Sequence, residues 1–294
     1  MFGYLYKVTL SVIIVSYNVK SLLEGCLLSV ETAAASLSAE VFIVDNASTD
    51  GTVEYLQPRF PQFNFIRNSN TGFARANNLA LEKCYGEYIL FLNPDTVVPF
   101  DCFTKCISFL EQNSSAGALG VRMVDGNNRF LRESKRGLPT PSASFWKLTG
   151  LASMFPHSPF FAAYYAGHLR EDKTQEVDVL SGAFMMVRKN VLNITGGFDE
   201  RFFMYAEDID LSYRILKSGY KNYYFADTVI THYKGSSTKK DIKYVKQFYK
   251  AMSQYVRKHY GNGPYAILLE SGIYVRGAIA AILQVFKRDK KRII

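Results

Sequence analysis

Four times in its first 125 residues the chain passes through a short β-branched or aromatic run and stops at a polar cluster. Val12–Val15 runs into Ser16-Tyr17-Asn18, and Val41–Val44 into Asp45-Asn-Ala-Ser-Thr-Asp-Gly51. Phe63–Ile66 leads to Asn68-x-Asn70-x-Gly72, and Tyr88–Leu92 ends at Asn93-Pro94-Asp95. Helical patterns separate the runs, near Lys20–Ala35, Thr52–Gln57 and Ala74–Cys84, and a further helix over Phe100–Gln112 precedes a strand over Ala118–Val124. Strands that are apolar without alternation, joined by helices, predict an α/β chain with a mostly parallel sheet covered on both faces. Ligands of such sheets bind beyond the carboxyl ends of the strands, where all four polar clusters fall.

Residues 126–176 are irregular, carry Pro139, Pro141, Pro156 and Pro159 with many aromatics, and read as an excursion that covers a site or shapes an acceptor pocket. Strand character returns over Val177–Val187. A turn at Gly196-Gly-Phe-Asp-Glu200 precedes a helix over Glu207–Lys217, ended by Gly219, and strands follow at Asn222–Phe225 and Val229–His232. At 294 residues with 48% hydrophobic and 21% charged residues, the chain has ample material for a core and is not disordered. Cys26, Cys84, Cys102 and Cys106 have no C-x-x-C spacing and no neighbouring histidine, so they read as core thiols in a reducing compartment and not as a zinc site.

The net charge of +9 is unevenly spread: residues 1–233 hold 21 Lys and Arg against 23 Asp and Glu, residues 234–294 hold 14 against 3. A near-neutral body with a basic end does not call for a nucleic-acid partner. Met1–Leu10 lacks the ordered basic region, apolar run and cleavage site of a signal peptide. Near the other end, Lys240–Tyr260 places Tyr244, Phe248, Met252, Tyr255 and Val256 on one helical stripe among lysines. Tyr265–Phe286 is apolar and long enough to cross a bilayer, but Glu270 and Arg276 interrupt it before the basic Lys287–Arg292. These segments read as amphipathic helices at an anionic membrane surface, or as helices packed on the body or a partner chain.

No G-x-G-x-x-G follows the first strand and no G-x-x-x-x-G-K-[ST] is present, which excludes dinucleotide and P-loop sites of the usual kind. Short acids and amides take their place. Asp45 can accept hydrogen bonds from a base or ribose, while Asn46 and Ser48 suit its turn; the same residues also suit a purely local turn. Pro94 stiffens the exit of a buried strand and Asp95 is delivered to the sheet edge as a hard oxygen ligand, of the kind Mg²⁺ or Mn²⁺ on a diphosphate requires. One carboxylate is too few, and His232, after Thr228–Thr231, can reach the same edge or serve the core. Glu207, Asp208 and Asp210 follow an aromatic wall, Phe202–Tyr205. Acids are favoured at a helix start, but three in four positions exceed capping.

The ordered set resembles the family 2 inverting glycosyltransferases of GT-A fold, in the rhamnosyltransferase-like branch of bacterial surface polysaccharide synthesis. Its parts are Ser11–Asn18, Ile43–Thr52, Asn68–Asn78, Phe91–Asp95, Leu180–Val187, Gly196–Glu200, Phe203–Leu211 and His232–Ser236. The resemblance implies a nucleotide-diphospho-sugar transferase sheet over 1–237, with a donor-binding half at 1–125 and an acceptor-binding, catalytic half at 126–237, followed by a basic amphipathic tail at 238–294. It implies that Ser16, Tyr17, Asn18, Asp45 and Asn46 line the nucleoside pocket and that Asn70, Gly72 and Asn77 support the donor loop. Asn93-Pro94-Asp95 stands where the family often has Asp-x-Asp, which makes Asp95, with His232, the metal ligands and leaves Asn93 beside the diphosphate. Asp208 is implied as the catalytic base, paired with Glu207. The implied reaction moves a sugar from dTDP-rhamnose or a UDP-hexose to a hydroxyl of a glycan, in the cytoplasm at the inner face of the membrane, with a lipid-linked acceptor and the tail on the membrane surface; a homo-oligomer is compatible with it.

A sugar-phosphate nucleotidyltransferase would need a basic, glycine-rich loop after the first strand, where Ser16–Ser21 offers only Lys20. A non-catalytic membrane- or nucleic-acid-binding protein would leave the strand-end acids without a purpose.

Overall fold

The computed structural model describes residues 8–235 and 241–290, and at 147, 148 and 283–290 it describes the backbone alone. Met1–Lys7, Ser236 at the end of the last motif, Lys240 and the tip of the basic end at Lys291 and Arg292 lie outside the described residues.

The chain order is β1 (Leu10–Ser16), α1 (Lys20–Ala34), β2 (Ala39–Asp45), α2 (Thr52–Leu56), β3 (Asn64–Arg67), α3 (Phe73–Leu81), β4 (Tyr88–Leu92), β5 (Thr96–Val97), α4 (Cys102–Gln112) and β6 (Ala116–Val124). The excursion holds α5 (Pro141–Thr149) and α6 (Leu151–Met154), and is followed by β7 (Gln175–Val177), β8 (Phe184–Arg188) and α7 (Lys189–Thr195). The last elements are α8 (Glu207–Lys217), β9 (Lys221–His232), α9 (Ile242–Tyr260) and α10 (Pro264–Lys290).

One sheet runs β3-β2-β1-β4-β8-β6-β9-β5, with β7 also on β9. The β3-β2-β1-β4 part is parallel throughout, as strand–helix alternation requires, and β6 and β9 are parallel to each other. The exceptions are β8, antiparallel to both β4 and β6, and the short β5 and β7, antiparallel to β9. Every residue of β1 is buried. Leu10, Val12 and Ile14 face one core with Leu23, Leu27 and Val30 of α1 and Phe103, Ile107 and Leu110 of α4. Ile13 and Val15 face the other, with Ala74, Ala76 and Ala80 of α3 and Leu211 and Ile215 of α8. That two-sided burial is why the strand reads as an unbroken apolar run. The four cysteines are buried and free, and burial pushes the Cys26 thiol up to about 12.

The run Val177–Val187 is not one strand: β7 ends at Val177 and β8 starts at Phe184, so Ser181-Gly182 sits in the loop between them. Conversely, Asn222–Phe225 and Val229–His232 are one strand, whose pairing with β6 shifts register between Val121 and Arg122. The bulge lets one edge of β9 pair β7 near its start and β5 at its end.

The two tail helices differ. α9 buries Ala251, Ser253, Tyr255 and Val256, and its Ala251 and Tyr255 share a small core with Val179, Phe202, Ala206 and Ile209. α10 packs back along α9, where Glu270 accepts from Arg257 (2.6 Å) and Ser253 (2.5 Å). Its outer side leaves Tyr265, Ile267, Leu268, Tyr274, Val275, Ile279 and Ile282 exposed. Among the described residues it is the one helix long and apolar enough to cross a membrane by length and composition, and hardly any of it is buried.

Candidate active site

The polar strand ends open onto one cleft of about 740 Å³. Its walls include Ser16, Tyr17 and Asn46 from the β1 and β2 ends, Asn70 and Gly72, Asn93 and Pro94, Glu207 and Asp208, and His232. Residues read separately along 217 positions of sequence thus meet at one sheet edge.

The donor side is a set of interlocked turns. Ser16 lies opposite Asp45 in the β1–β2 register. Asp45 is buried and its Oδ2 accepts from the Ser48 amide at 3.0 Å, while Oδ1 has no hydrogen-bond partner among the described residues. Asn18, at φ 52°, does not line the cleft; its Oδ1 accepts from the Thr49 amide at 2.7 Å and its own amide donates to Ser48 Oγ at 2.9 Å, tying the first two polar turns together. Asn68 Nδ2 donates to Asn46 Oδ1 (2.8 Å) and Thr71 Oγ1 (2.9 Å), which ties in the third. Gly72 has φ +97°, and a Cβ there would stand 2.6 Å from the Phe203 carbonyl oxygen. That carbonyl accepts from the Phe73 amide at 2.7 Å, so a glycine is needed both for the turn and for the close approach. Asn77 is buried within α3, donates to the Phe73 carbonyl one turn back at 2.9 Å and stays off the cleft.

The β4 exit delivers Asp95 through a short strand that the sequence did not reveal. In β5, Thr96 pairs antiparallel with His232, the last residue of β9. This register sets Asp95 Oδ1 3.2 Å from His232 Nε2; both side chains are buried, and of the two it is His232 that lines the cleft, with Asp95 behind it. Among the described residues His232 Nδ1 has no hydrogen-bond partner. Among the described residues no cluster of three or more His, Cys, Asp or Glu is gathered.

Across the cleft, α8 begins at Glu207 immediately after two left-handed residues, Tyr205 (φ 73°) and Ala206 (φ 69°). Two consecutive non-glycine residues in that region hold strain of order 1–3 kcal/mol each, a kind that collects at functional sites. Asp208 is fixed on three sides: Oδ2 accepts from Arg136 Nη2 at 2.6 Å and the Gly182 amide at 3.1 Å, and Oδ1 from the Ile209 amide at 2.8 Å. Arg136 also donates to the Leu180 carbonyl at 2.6 Å. Burial opposes the guanidinium's charge, but Asp208 and Tyr164 together outweigh burial and hold its pKa above the ordinary value. Glu207 is the contrary case: burial first, then the neighbouring Asp208, push its carboxyl up to about 8, and among the described residues its Oε2 has no hydrogen-bond partner. The two neighbouring carboxyls thus differ: Asp208 faces a guanidinium, while Glu207 is kept protonated at neutral pH.

The sequence gives Arg136 no distinguishing signal, because its partner lies 72 positions away. It also leaves Ser181 and Gly182 unassigned, although both line the cleft. The third acid of the cluster, Asp210, faces away from the cleft. It is fully buried and takes Arg214 Nε at 2.8 Å, Lys258 Nζ at 2.5 Å and His259 Nε2 at 2.8 Å. Two of those three come from α9, and Lys258 also reaches Asp199 at 2.6 Å.

Residues 11–193 match the family model described as glycosyl transferase family 2, which spans more than half of the chain. The chain belongs to that family. It is a glycosyltransferase that uses a nucleotide-diphospho-sugar. It is 30% identical over 246 residues to the N-acetylglucosaminyl-diphospho-decaprenol L-rhamnosyltransferase of Mycobacterium tuberculosis, covering 79% of this chain and 78% of the relative. It is 28% identical over 183 residues to the rhamnosyltransferase WbbL of Escherichia coli, covering 58% of this chain and 63% of the relative. Among solved structures, the Pyrobaculum calidifontis mannosyltransferase PcManGT, in complex with GDP-Man and Mn²⁺, superposes with a TM-score of 0.58 at 19% identity, over 96% of this chain and 74% of its own. That likeness establishes the GT-A-like fold of the transferase.

Proposed function

We propose that the transferase moves L-rhamnose from dTDP-rhamnose, with inversion, to a hydroxyl of a lipid-linked glycan at the inner face of the cytoplasmic membrane. The observation that carries this is the opposition, across one cleft, of the Asp95–His232 edge and the Arg136-fixed carboxylate of Asp208. The Mycobacterium tuberculosis relative, named for rhamnosyl transfer to an N-acetylglucosaminyl diphospho-lipid, supports the donor sugar and the acceptor class. A UDP-hexose is the other donor to be compared.

The Ser16–Asp45 end of the sheet and the Asn46–Thr71 turns receive the nucleoside, with Asp45, buried behind the cleft wall, supplying an acceptor oxygen for a base or ribose hydroxyl. Asp95 and His232 fit Mg²⁺ or Mn²⁺: a hard carboxylate beside an imidazole, two protein ligands that leave the ion's other positions to waters and phosphate oxygens. The Mn²⁺ in the mannosyltransferase complex supports the same assignment. When bound, the cation offsets the negative charge on the departing nucleoside diphosphate. Asp208, fixed in place by Arg136 and the Gly182 amide, accepts the proton of the acceptor hydroxyl as its oxygen attacks the anomeric carbon. Glu207, protonated, adds no second negative charge to the oxygen's path. A single displacement from the face opposite the diphosphate inverts the anomeric centre.

The test is thermal protection by dTDP, UDP and GDP, each with and without Mn²⁺, followed by transfer assays with the matching sugar donors. Protection by dTDP that needs the cation, together with rhamnosyl transfer, is the expected result. Protection only by UDP moves the donor to a UDP-hexose; no cation-dependent protection by any of them overturns the assignment.

A further inference from the structure

We propose that the first two turns of α9 form the acceptor's sugar-binding subsite, in which a saccharide ring lies on Tyr244 and Phe248, beside Tyr205, with its attacking hydroxyl toward Asp208. This rests on the transferase reading above and goes beyond it by placing the acceptor on a helix outside the matched family region.

The cleft has two unlike sides. The β1, β2 and β3 ends form one; Tyr244, Gln247 and Phe248 of α9 belong to the other. Those three stand at i, i+3 and i+4 and share one helix face. Tyr205 meets Tyr244 edge-on at 5.3 Å between centroids and Phe248 at 5.7 Å, while Tyr244 and Phe248 are nearly coplanar in orientation, 7° apart. All three rings are half-buried, so each keeps surface toward the cleft. Aromatic faces beside an amide suit a ring that is apolar on its C–H face and hydroxylated at its edge.

Tyr205 packs against the small core that Ala251 and Tyr255 share with the body, whereas Tyr244 and Phe248 precede that docking segment in α9 and are not among the members of its core. Tyr205 is held in its left-handed conformation three residues before Asp208, which couples the platform to the base. The far end of α9 is latched through Lys258 and His259 to Asp210, in the same helix as Asp208. Platform and base are therefore carried by one locked pair of helices. α10 returns antiparallel along α9, with Gly277 against the ring of Tyr249, which brings its exposed apolar side back toward the cleft mouth. A lipid-anchored sugar would arrive from that direction.

The experiment measures donor and acceptor KM for the full chain and for Tyr244→Ala, Phe248→Ala, Gln247→Ala and Tyr244→Phe, with a synthetic N-acetylglucosaminyl diphospho-decyl lipid as acceptor. The two aromatic truncations are expected to raise acceptor KM about tenfold and leave donor KM within about twofold. Gln247→Ala, which leaves the ring packing in place, shifts acceptor KM in the same direction, and Tyr244→Phe restores it. An acceptor KM unchanged in Gln247→Ala and in both truncations, or donor and acceptor KM rising together, overturns the subsite while cation-dependent nucleotide protection of the unmodified chain still upholds the transferase reading. Loss of that protection in the unmodified chain overturns both.

Discussion

Glu207 is the residue whose environment departs furthest from its chemistry in water. Its pKa is raised from about 4.5 to about 8, so the folded state holds a proton that the unfolded chain releases between those values. Stability from this group is therefore fully present below about pH 4.5 and is lost as pH rises toward 8. Glu207→Gln should raise the melting temperature at pH 8 by several degrees and change it little at pH 5, as read by paired thermal melts. At Gly72, an added Cβ would collide with the backbone of Phe203 and force the donor loop away from the β8–α8 side of the cleft. Gly72→Ala should raise the donor KM by about tenfold or more, which steady-state kinetics with varied donor will show.

At the scale of residues, the sequence was most legible where function and local structure coincide. Asn93-Pro94-Asp95 can be read alone because proline stiffens a strand exit and aspartate follows it. Arg136 could not, since nothing near it in sequence distinguishes it from a surface arginine; only the fold brings Asp208 opposite it.

Among elements, α8 and α9 are joined through Asp210 into one unit. Burial works against charge on Asp210, but His259, Arg214 and Lys258 together outweigh it and hold its carboxyl below the usual range. Removing one member of a buried charge cluster leaves the others uncompensated, a cost of about 3–5 kcal/mol. Asp210→Asn should therefore lower the melting temperature by on the order of 10 °C, and should raise acceptor KM more than donor KM by loosening α9. The pattern of α9 was legible as an amphipathic helix, but its destination was not. A stripe of tyrosine, phenylalanine and methionine among lysines suits a membrane surface and a protein groove equally well. What decides for the protein is Lys258 and His259 meeting an acid 49 positions or fewer away, a contact no periodicity encodes. The two-residue β5 escaped for a simpler reason, being too short to carry a period, though its pairing with β9 is what brings His232 to Asp95.

For the whole molecule, the uneven charge and the exposed side of α10 divide the tail between two tasks. α9 completes the cleft, while α10 presents apolar residues outward and runs toward a basic end. Near an anionic bilayer each Lys or Arg contributes about 1 kcal/mol, falling off within a Debye length. A chain ending at Gly261 should lose sedimentation with phosphatidylglycerol vesicles. The full chain's own binding should weaken steeply between 50 and 500 mM salt. The shortened chain should still transfer sugar to a water-soluble acceptor at a rate within about threefold of the full one, because the cleft's described walls end at Phe248.

The parallel half of the sheet and its strand-end site were legible because each βα unit repeats the same local pattern. The antiparallel β8 was not, since a buried central strand reads alike in either direction.

Asp208 is proposed to accept the acceptor's proton in a cleft that binds the donor without it. The rate of sugar transfer by Asp208→Asn at saturating donor, with nucleotide protection measured on the same sample, tests that role. A fall in kcat of about 10² to 10⁴ with protection retained is the expected result. A rate within about threefold of the unmodified transferase would contradict the account.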